Sequence, residues 1–317
     1  MILKTKLFGK VYEFKSLREV MAKANEEKSG DKLAGIAAES AEERVAAKVV
    51  LSHITLEDLR NNPAVPYEED EVTRIIQDGV NESIYREHKN KTVAEFREWL
   101  LDTKTTGDMI KRASRGLTSE MVAAVCKLMS NLDLIYAAKK IRISAHCNTT
   151  IGLPGTFSSR LQPNHTTDDP KGIMASVMEG LSLGCGDAVI GLNPVDDSVE
   201  SVARILKSFD EFKNKWEVPT QICVLAHVTT QMEAVRKMKA PIDLMFQSIA
   251  GSQKGNEAFG LTAAMLDEAH DLMMREATST GPNVMYFETG QGSELSSEAH
   301  NGWDQVTMEA RCYGFAK

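Results

Sequence analysis

Four polar side chains follow three apolar runs of this sequence: Arg160 and Gln162 come after one, and Asn193 and Glu288 stand at the ends of two others. Arginine is a permanently charged fork of donors, and glutamine and asparagine both donate and accept. Pro163 stiffens the backbone between Gln162 and Asn164. Glu288 follows Tyr286 and Phe287, an apolar approach that would raise its pKa or oblige it to pair with a cation. One arginine, two amides, a carboxylate and nearby hydroxyls suit a small polar molecule carrying an amine or a hydroxyl. The structural alternative is that each group ties down a loop, with Arg160 paired to a neighbouring carboxylate. For His227 and Thr229, at the end of another run, that alternative is preferred.

The elements that must position these residues alternate. Apolar or β-rich runs lie at TTIGLPG (149–155), DAVIGLNP (187–194), QICVLAHV (221–228), DLMFQSIAG (243–251) and NVMYFETG (283–290). Helical patterns separate them, and three of the four begin after acidic or hydroxyl residues, as N-caps do. Strand–helix alternation predicts an α/β fold with a parallel sheet, and runs apolar on both faces predict a sheet covered on both sides or closed into a barrel. In a parallel barrel every strand end falls on one rim, where the chemistry sits. Five units fall short of the eight of a closed (β/α)8 barrel. The final residues, DQVTMEARCYGFAK, read as a helix that stops without Gly, Pro or a polar tail. The expectation is an N-terminal piece of a longer protein, with a sixth strand to follow.

Ahead of the alternating region, residues 2–15 predict a hairpin around Gly9. Residues 16–115 predict short amphipathic helices, opened by capping pairs Ser16/Glu19, Ser40/Glu43, Thr55/Asp58 and Thr92/Glu95. Gly30 is expected to stop the first helix. A long helix is expected over Thr118 to Lys140, with apolar residues three and four apart. The domain expectation is a hairpin and helical extension over 1–115 and a partial barrel over 116–317.

Composition narrows the function further. The chain has 317 residues, 42% of them hydrophobic and 26% charged, as in an ordinary globular protein. A net charge of -8 argues against nucleic acid as the main partner. No apolar run approaches a membrane span and the N-terminus has no signal-peptide core. Five widely spaced cysteines with no CxxC pair suggest inert thiols in a reducing, cytosolic compartment. There is no GxGxxG, P-loop, HExxH or GxSxG, and no close His/Cys/carboxylate cluster that signals a metal. No lysine stands at a strand end, which argues against a Schiff-base aldolase.

Longer motifs carry a resemblance. LFGKVYEF, RVAAKVVLS, NTTIGLPGTFSSRLQPN, GDAVIGLNPV, CVLAHVTTQ, FQSIAGSQKG, YFETGQGSELS and DQVTMEAR run the length of the chain. Together they resemble the large (heavy) subunit of ethanolamine ammonia-lyase, an adenosylcobalamin-dependent enzyme. The resemblance implies a (β/α)8 TIM barrel with an N-terminal helical extension, partnered by a small (light) subunit in a hetero-oligomer. The cofactor would lie at the barrel's C-terminal rim, and radical chemistry would convert ethanolamine to acetaldehyde and ammonia. Carried over by motif, Arg160 and Gln162 would hold substrate, with Gln162 reaching its hydroxyl. Asn193 and Glu288 would complete the amine side. Pro194, Gln247 and Ser296 fall where the family touches adenosylcobalamin. One departure is Ala258 before Phe259, where the family tends to have an acidic residue; Glu257 is adjacent. The family's pathway implies a bacterial microcompartment. Its large subunit is considerably longer, and its last third holds the final barrel strands and a further substrate carboxylate. These 317 residues alone are therefore expected to show no steady acetaldehyde formation. The alternative function is an inactive fragment or assembly module; a weaker one is another barrel lyase or mutase using the same rim.

Overall fold

The computed structural model describes residues 1–290 and 298–317. The fold is α/β, and the chain gathers into two compact units. One comprises Met1–Ile141, Ile249–Gly260 and Thr289–Lys317; the other comprises Arg142–Ser248 and Leu261–Glu288. Among the described residues no helix is long and apolar enough to cross a membrane.

The first unit opens on the expected hairpin. Lys4–Leu7 pairs antiparallel with Lys10–Glu13, and Phe8 and Gly9 both take positive φ, as a two-residue turn of that twist requires. Short helices follow because the sequence caps them. Thr55 and Thr92 each accept a bond from the backbone three residues on, while Asp58 and Glu95 bond back to the cap backbone. Ser16 and Ser40 also cap their helices, but Glu19 and Glu43 reach one residue further back, to Lys15 N and Glu39 N. Val20, Met21, Leu51, Leu56, Leu59, Val93 and Met121 form the buried core.

Two expectations are corrected here. The first helix ends at Lys23, and Gly30 lies inside a separate short helix, Ser29–Leu33. The long helix over 118–140 is two helices, Ser119–Lys127 and Asn131–Lys140. Ser130 starts the second: its side chain accepts from Asp133 N, and Asp133 accepts from Ser130 N. A local hydrogen-bonded cap thus overrides apolar periodicity that ran through it. The break lets Lys127 turn inward, where its ammonium bonds Asn25 and Asp304 at 2.7 and 2.5 Å. The C-terminal helix Gln305–Ala316 packs in this unit against Ser119–Lys127.

In the same unit His88 lies against Phe96 and Trp99, with ring centroids 5.5 and 5.3 Å away. Burial first, and then the charge of Lys91, holds its pKa below the ordinary histidine value. The folded state therefore favours the neutral ring. That contribution is fully present above the ordinary value of about 6.5 and is lost as pH falls through the lowered one. Thermal melts should show a midpoint that declines as pH drops below about 6.5, and His88→Gln should flatten part of that decline. An identical decline in the variant would assign it elsewhere.

The second unit carries the strand–helix alternation. Arg160–Leu161, Val189–Leu192 and Ile222–Val224 form a parallel three-stranded sheet in that order. Arg160 pairs with Val189, Ile190 with Ile222 and Leu192 with Val224. Met245–Ile249 pairs with Met285–Thr289, and Leu244 N donates to Ile222 O at 3.2 Å. Helices Pro170–Ser182, Val199–Trp216, Val228–Met238 and Ala263–Glu276 intervene. Cys147, Val189, Cys223, Leu244 and Phe246 pack together beneath the strands.

The TTIGLPG run is not the first parallel strand. Thr150–Ile151 pairs antiparallel with Ala145–His146, and the chain then turns through Gly152 and Gly155, both at positive φ. A Cβ at Gly152 would stand 2.4 Å from Ile143 O, so only glycine fits that turn. The first parallel strand is Arg160–Leu161, which places Arg160 within the sheet rather than in a loop beyond it.

Candidate functional site

The site is built at the ends of strands. Arg160 sits on the outer strand beside Val189–Leu192. On the neighbouring strand, a Cβ at Gly191 would come to 3.2 Å from the Leu225 side chain and into ordinary contact with Arg160 Cδ at 3.7 Å. From this seat the guanidinium spends its donors on neighbours. Nη1 donates to Tyr286 Oη at 2.6 Å and to Glu288 Oε1. Nη2 donates to Gln162 Oε1 at 2.5 Å. Tyr286 Oη in turn donates to Glu288 Oε1 at 2.7 Å. Tyr286 and Glu288 lie two residues apart on one strand and so share a face. Tyr286 is anchored by an edge-to-face contact with Phe246, centroids 5.6 Å apart.

The charges follow from this network. Burial, then the bond to Glu288 and its charge, push the Tyr286 hydroxyl up to about 12 against the opposing pull of Arg160. It is a phenol throughout the neutral range and can donate to Glu288. Arg160 loses some affinity for its proton to burial, but Tyr286 and Glu288 outweigh that and its pKa is raised. Directly below, Cys223 is fully buried and burial pushes its thiol far up, so it is no nucleophile. All five cysteines are free thiols.

What remains unengaged decides what the site can hold. Glu288 Oε2 has no hydrogen bond among the described residues, and the carboxylate is 35% exposed. A guanidinium has no acceptor, so the glutamine oxygen must face Arg160 and its amide N–H2 must face outward. The site therefore offers a carboxylate oxygen that accepts and an amide that donates, with the arginine already neutralised. That pattern complements an ammonium and a hydroxyl on one small molecule, and offers little to a carboxylate.

The remaining expected residues are placed as follows. Asn193 is exposed one residue beyond its strand, and its backbone N–H donates to Asn164 Oδ1 at 2.9 Å. That bond fastens the loop of Gln162 to the strand end of Asn193. Pro194 is half-buried, and Val195 beside it is 68% exposed. Gln247 is buried and its amide bonds within the fold: Oε1 accepts from Val228 N at 2.8 Å and Nε2 donates to Ser248 O at 2.9 Å. Ser296 lies outside the described residues. His227 caps the Val228–Met238 helix and bonds Thr229 Oγ1 at 2.8 Å.

Two residues were missed from sequence. Tyr286 links Arg160 to Glu288; the signal was its place two residues before Glu288, where it was read only as apolar cover. Asp168 is buried at φ +51, and its Oδ2 accepts from Val195 N and Asp196 N, both at 2.8 Å. Its Oδ1 is buried without a partner among the described residues. The sequence offers Asp168 and Asp169 together as the start of the next helix; Asp169 is the cap, and Asp168 serves the turn instead. Asp168→Ala should release the turn after Pro194 and cost about 1–3 kcal/mol, read as a lower denaturant midpoint. An unchanged midpoint would show that the turn holds itself.

These features define an α/β protein in which Arg160, Gln162, Tyr286 and Glu288 are joined in one hydrogen-bonded network. The family model described as "Ethanolamine ammonia lyase large subunit (EutB)" matches residues 12–317. The ethanolamine ammonia-lyase large subunit of Escherichia coli (strain K12) is 57% identical over 317 residues, covering 100% of this chain and 70% of that protein. The large subunit of Salmonella typhimurium (strain LT2) gives the same identity and coverage. The chain belongs to the ethanolamine ammonia-lyase large-subunit family, a family of enzymes.

Proposed function

We propose that the chain carries the substrate-holding face of an adenosylcobalamin-dependent ethanolamine ammonia-lyase, a carbon–nitrogen lyase. The observation that supports this most is the pair left unengaged among the described residues, Glu288 Oε2 and the Gln162 amide N–H2, beside the charge-paired Arg160. Glu288 Oε2 takes the ethanolamine ammonium, and Gln162 Nε2 donates to the hydroxyl. Asn193 adds an amide on the amine side. Holding both ends fixes the carbon atoms between them, so the chain's contribution is orientation and charge.

For the cofactor, exposed Val195 beside half-buried Pro194, and the exposed side chain of Asn193, fit a large, partly apolar ring system. Gln247 fits mainly indirectly, because its buried amide holds the Val228 N–H and gives one hydrogen to Ser248 O. When bound, adenosylcobalamin supplies the radical chemistry that the protein's own side chains lack. The parallel strands extend to a (β/α)8 barrel, preceded by the hairpin and helical extension, with its rim as the site. The small subunit completes the cofactor's seat in a hetero-oligomer, cytoplasmic and within a bacterial microcompartment.

The chain spans 70% of the relatives it matches, and a second reading gives these residues a binding or assembly role. In that reading these residues bind ethanolamine or the small subunit without turnover, as an inactive or assembly form. One experiment separates the two. The chain is mixed with the small subunit of a family member, adenosylcobalamin and ethanolamine, and acetaldehyde is measured. Sustained acetaldehyde favours the first reading for these residues alone; bound ethanolamine without acetaldehyde favours the second; neither binding nor product contradicts both.

A further inference from the structure

We propose that Tyr286 is the positioning residue that dictates which oxygen of Glu288 receives the substrate ammonium; the inference rests on the ethanolamine reading of the site. A carboxylate has two equivalent oxygens and rotates freely unless one is held. Here Oε1 takes two bonds, one from Arg160 Nη1 and one from Tyr286 Oη at 2.7 Å. The polarity of the chain is fixed throughout. Arg160 can only donate, so the Tyr286 oxygen accepts from it at 2.6 Å and spends its single hydrogen on Glu288. The phenol cannot swing away, because its ring is edge-on to Phe246 and the strand pairs with Met245–Ile249. Oε1 is thus saturated, and Oε2 is the oxygen left to bind a cation.

The arrangement also sets what is excluded. Arg160 alone would be a ready receptor for an anion. Tyr286 and Glu288 together take both hydrogens of Nη1, Gln162 takes one of Nη2, and the Glu288 carboxylate offsets the charge that would draw an anion. Without Tyr286 the carboxylate keeps its arginine contact but loses the second bond that fixes its rotation. Oε2 is then aimed at the ammonium for only part of the time.

The test is a double-mutant cycle on the intact chain, with ethanolamine affinity read by titration calorimetry. Tyr286→Phe keeps the ring on Phe246 and removes only the hydroxyl. It should weaken ethanolamine about three- to tenfold. In a Glu288→Gln background the same change should have almost no further effect, because there is no anion left to aim. Equal losses in both backgrounds, or no loss from Tyr286→Phe alone, would overturn the inference while leaving the ethanolamine reading intact. A Glu288→Gln chain that binds as well as the unaltered one, or an unaltered chain that does not bind, would overturn the reading itself and this inference with it. Unchanged circular dichroism and melting of each variant are the controls for folding.

Discussion

Replacing Arg311 by methionine is expected to destabilise the protein by about 3–5 kcal/mol, the usual cost of removing one partner from a buried ion pair. Arg311 is fully buried, which few arginines are. All its donor groups are used: Nε donates to Gly251 O at 2.7 Å and Nη1 to Glu120 Oε1 at 2.6 Å. Nη2 donates to Asp70 Oδ2 and Thr73 Oγ1, both at 2.9 Å. The two carboxylates are themselves committed. Glu120 accepts from Ala64 N, and Asp70 accepts from Thr73 N and Gln253 N. Methionine would leave both anions buried without a cation, a debt that hydrogen bonds from backbone amides do not cancel. Space adds to the constraint, since a Cβ at Gly251 would fall 2.4 Å from Met308 O, so the helix and the turn have no slack. Arg311→Met combined with Glu120→Gln and Asp70→Asn should recover part of the loss. Equilibrium denaturation decides the matter. A shift below about 1 kcal/mol for the single variant would place Arg311 among ion pairs of little consequence.

The second large effect concerns binding. Glu288→Gln should weaken ethanolamine roughly ten- to a hundredfold, or about 1.5–3 kcal/mol, the range for hydrogen bonds to charged groups. The lower part of that range is favoured because the carboxylate is 35% exposed and its field is screened by water. The fold should persist, since a glutamine oxygen can still accept from Arg160 and Tyr286. Calorimetry on variant and parent, at matched salt, measures the difference. Equal affinities would remove Glu288 from the ammonium site.

Much of this was legible before any coordinates. Strand–helix alternation was visible because the parallel strands are short apolar runs such as Val189–Leu192, buried at every position. Capping pairs were visible because they are local chemistry: Thr55 with Asp58 and Thr92 with Glu95 close as written. The errors came from competition between local signals. At 118–140 the apolar stripe masked the Ser130–Asp133 cap. At 149–155 β-branched residues marked a strand, but not its antiparallel partner, which lies only a few residues upstream at Ala145–His146. Arg160, Gln162 and Glu288 were legible as polar groups beside apolar runs, and the structure joins them, although Arg160 opens its strand instead of following one. What sequence does not carry is the bonding state of each atom. The sequence reading let Arg160 contact substrate directly; the structure shows both Nη atoms engaged by Tyr286, Glu288 and Gln162, with the Glu288 carboxylate offsetting the arginine charge.

The central claim is that a small amino alcohol sits between Glu288 and Gln162. A crystal structure of this chain soaked with ethanolamine tests it most directly. The account predicts the ligand nitrogen within hydrogen-bonding distance of Glu288 Oε2 and its hydroxyl oxygen on the Gln162 amide, with the Arg160–Tyr286–Glu288 network unbroken. Ethanolamine ordered at another place, or bound here only after Arg160 abandons Glu288, would contradict it.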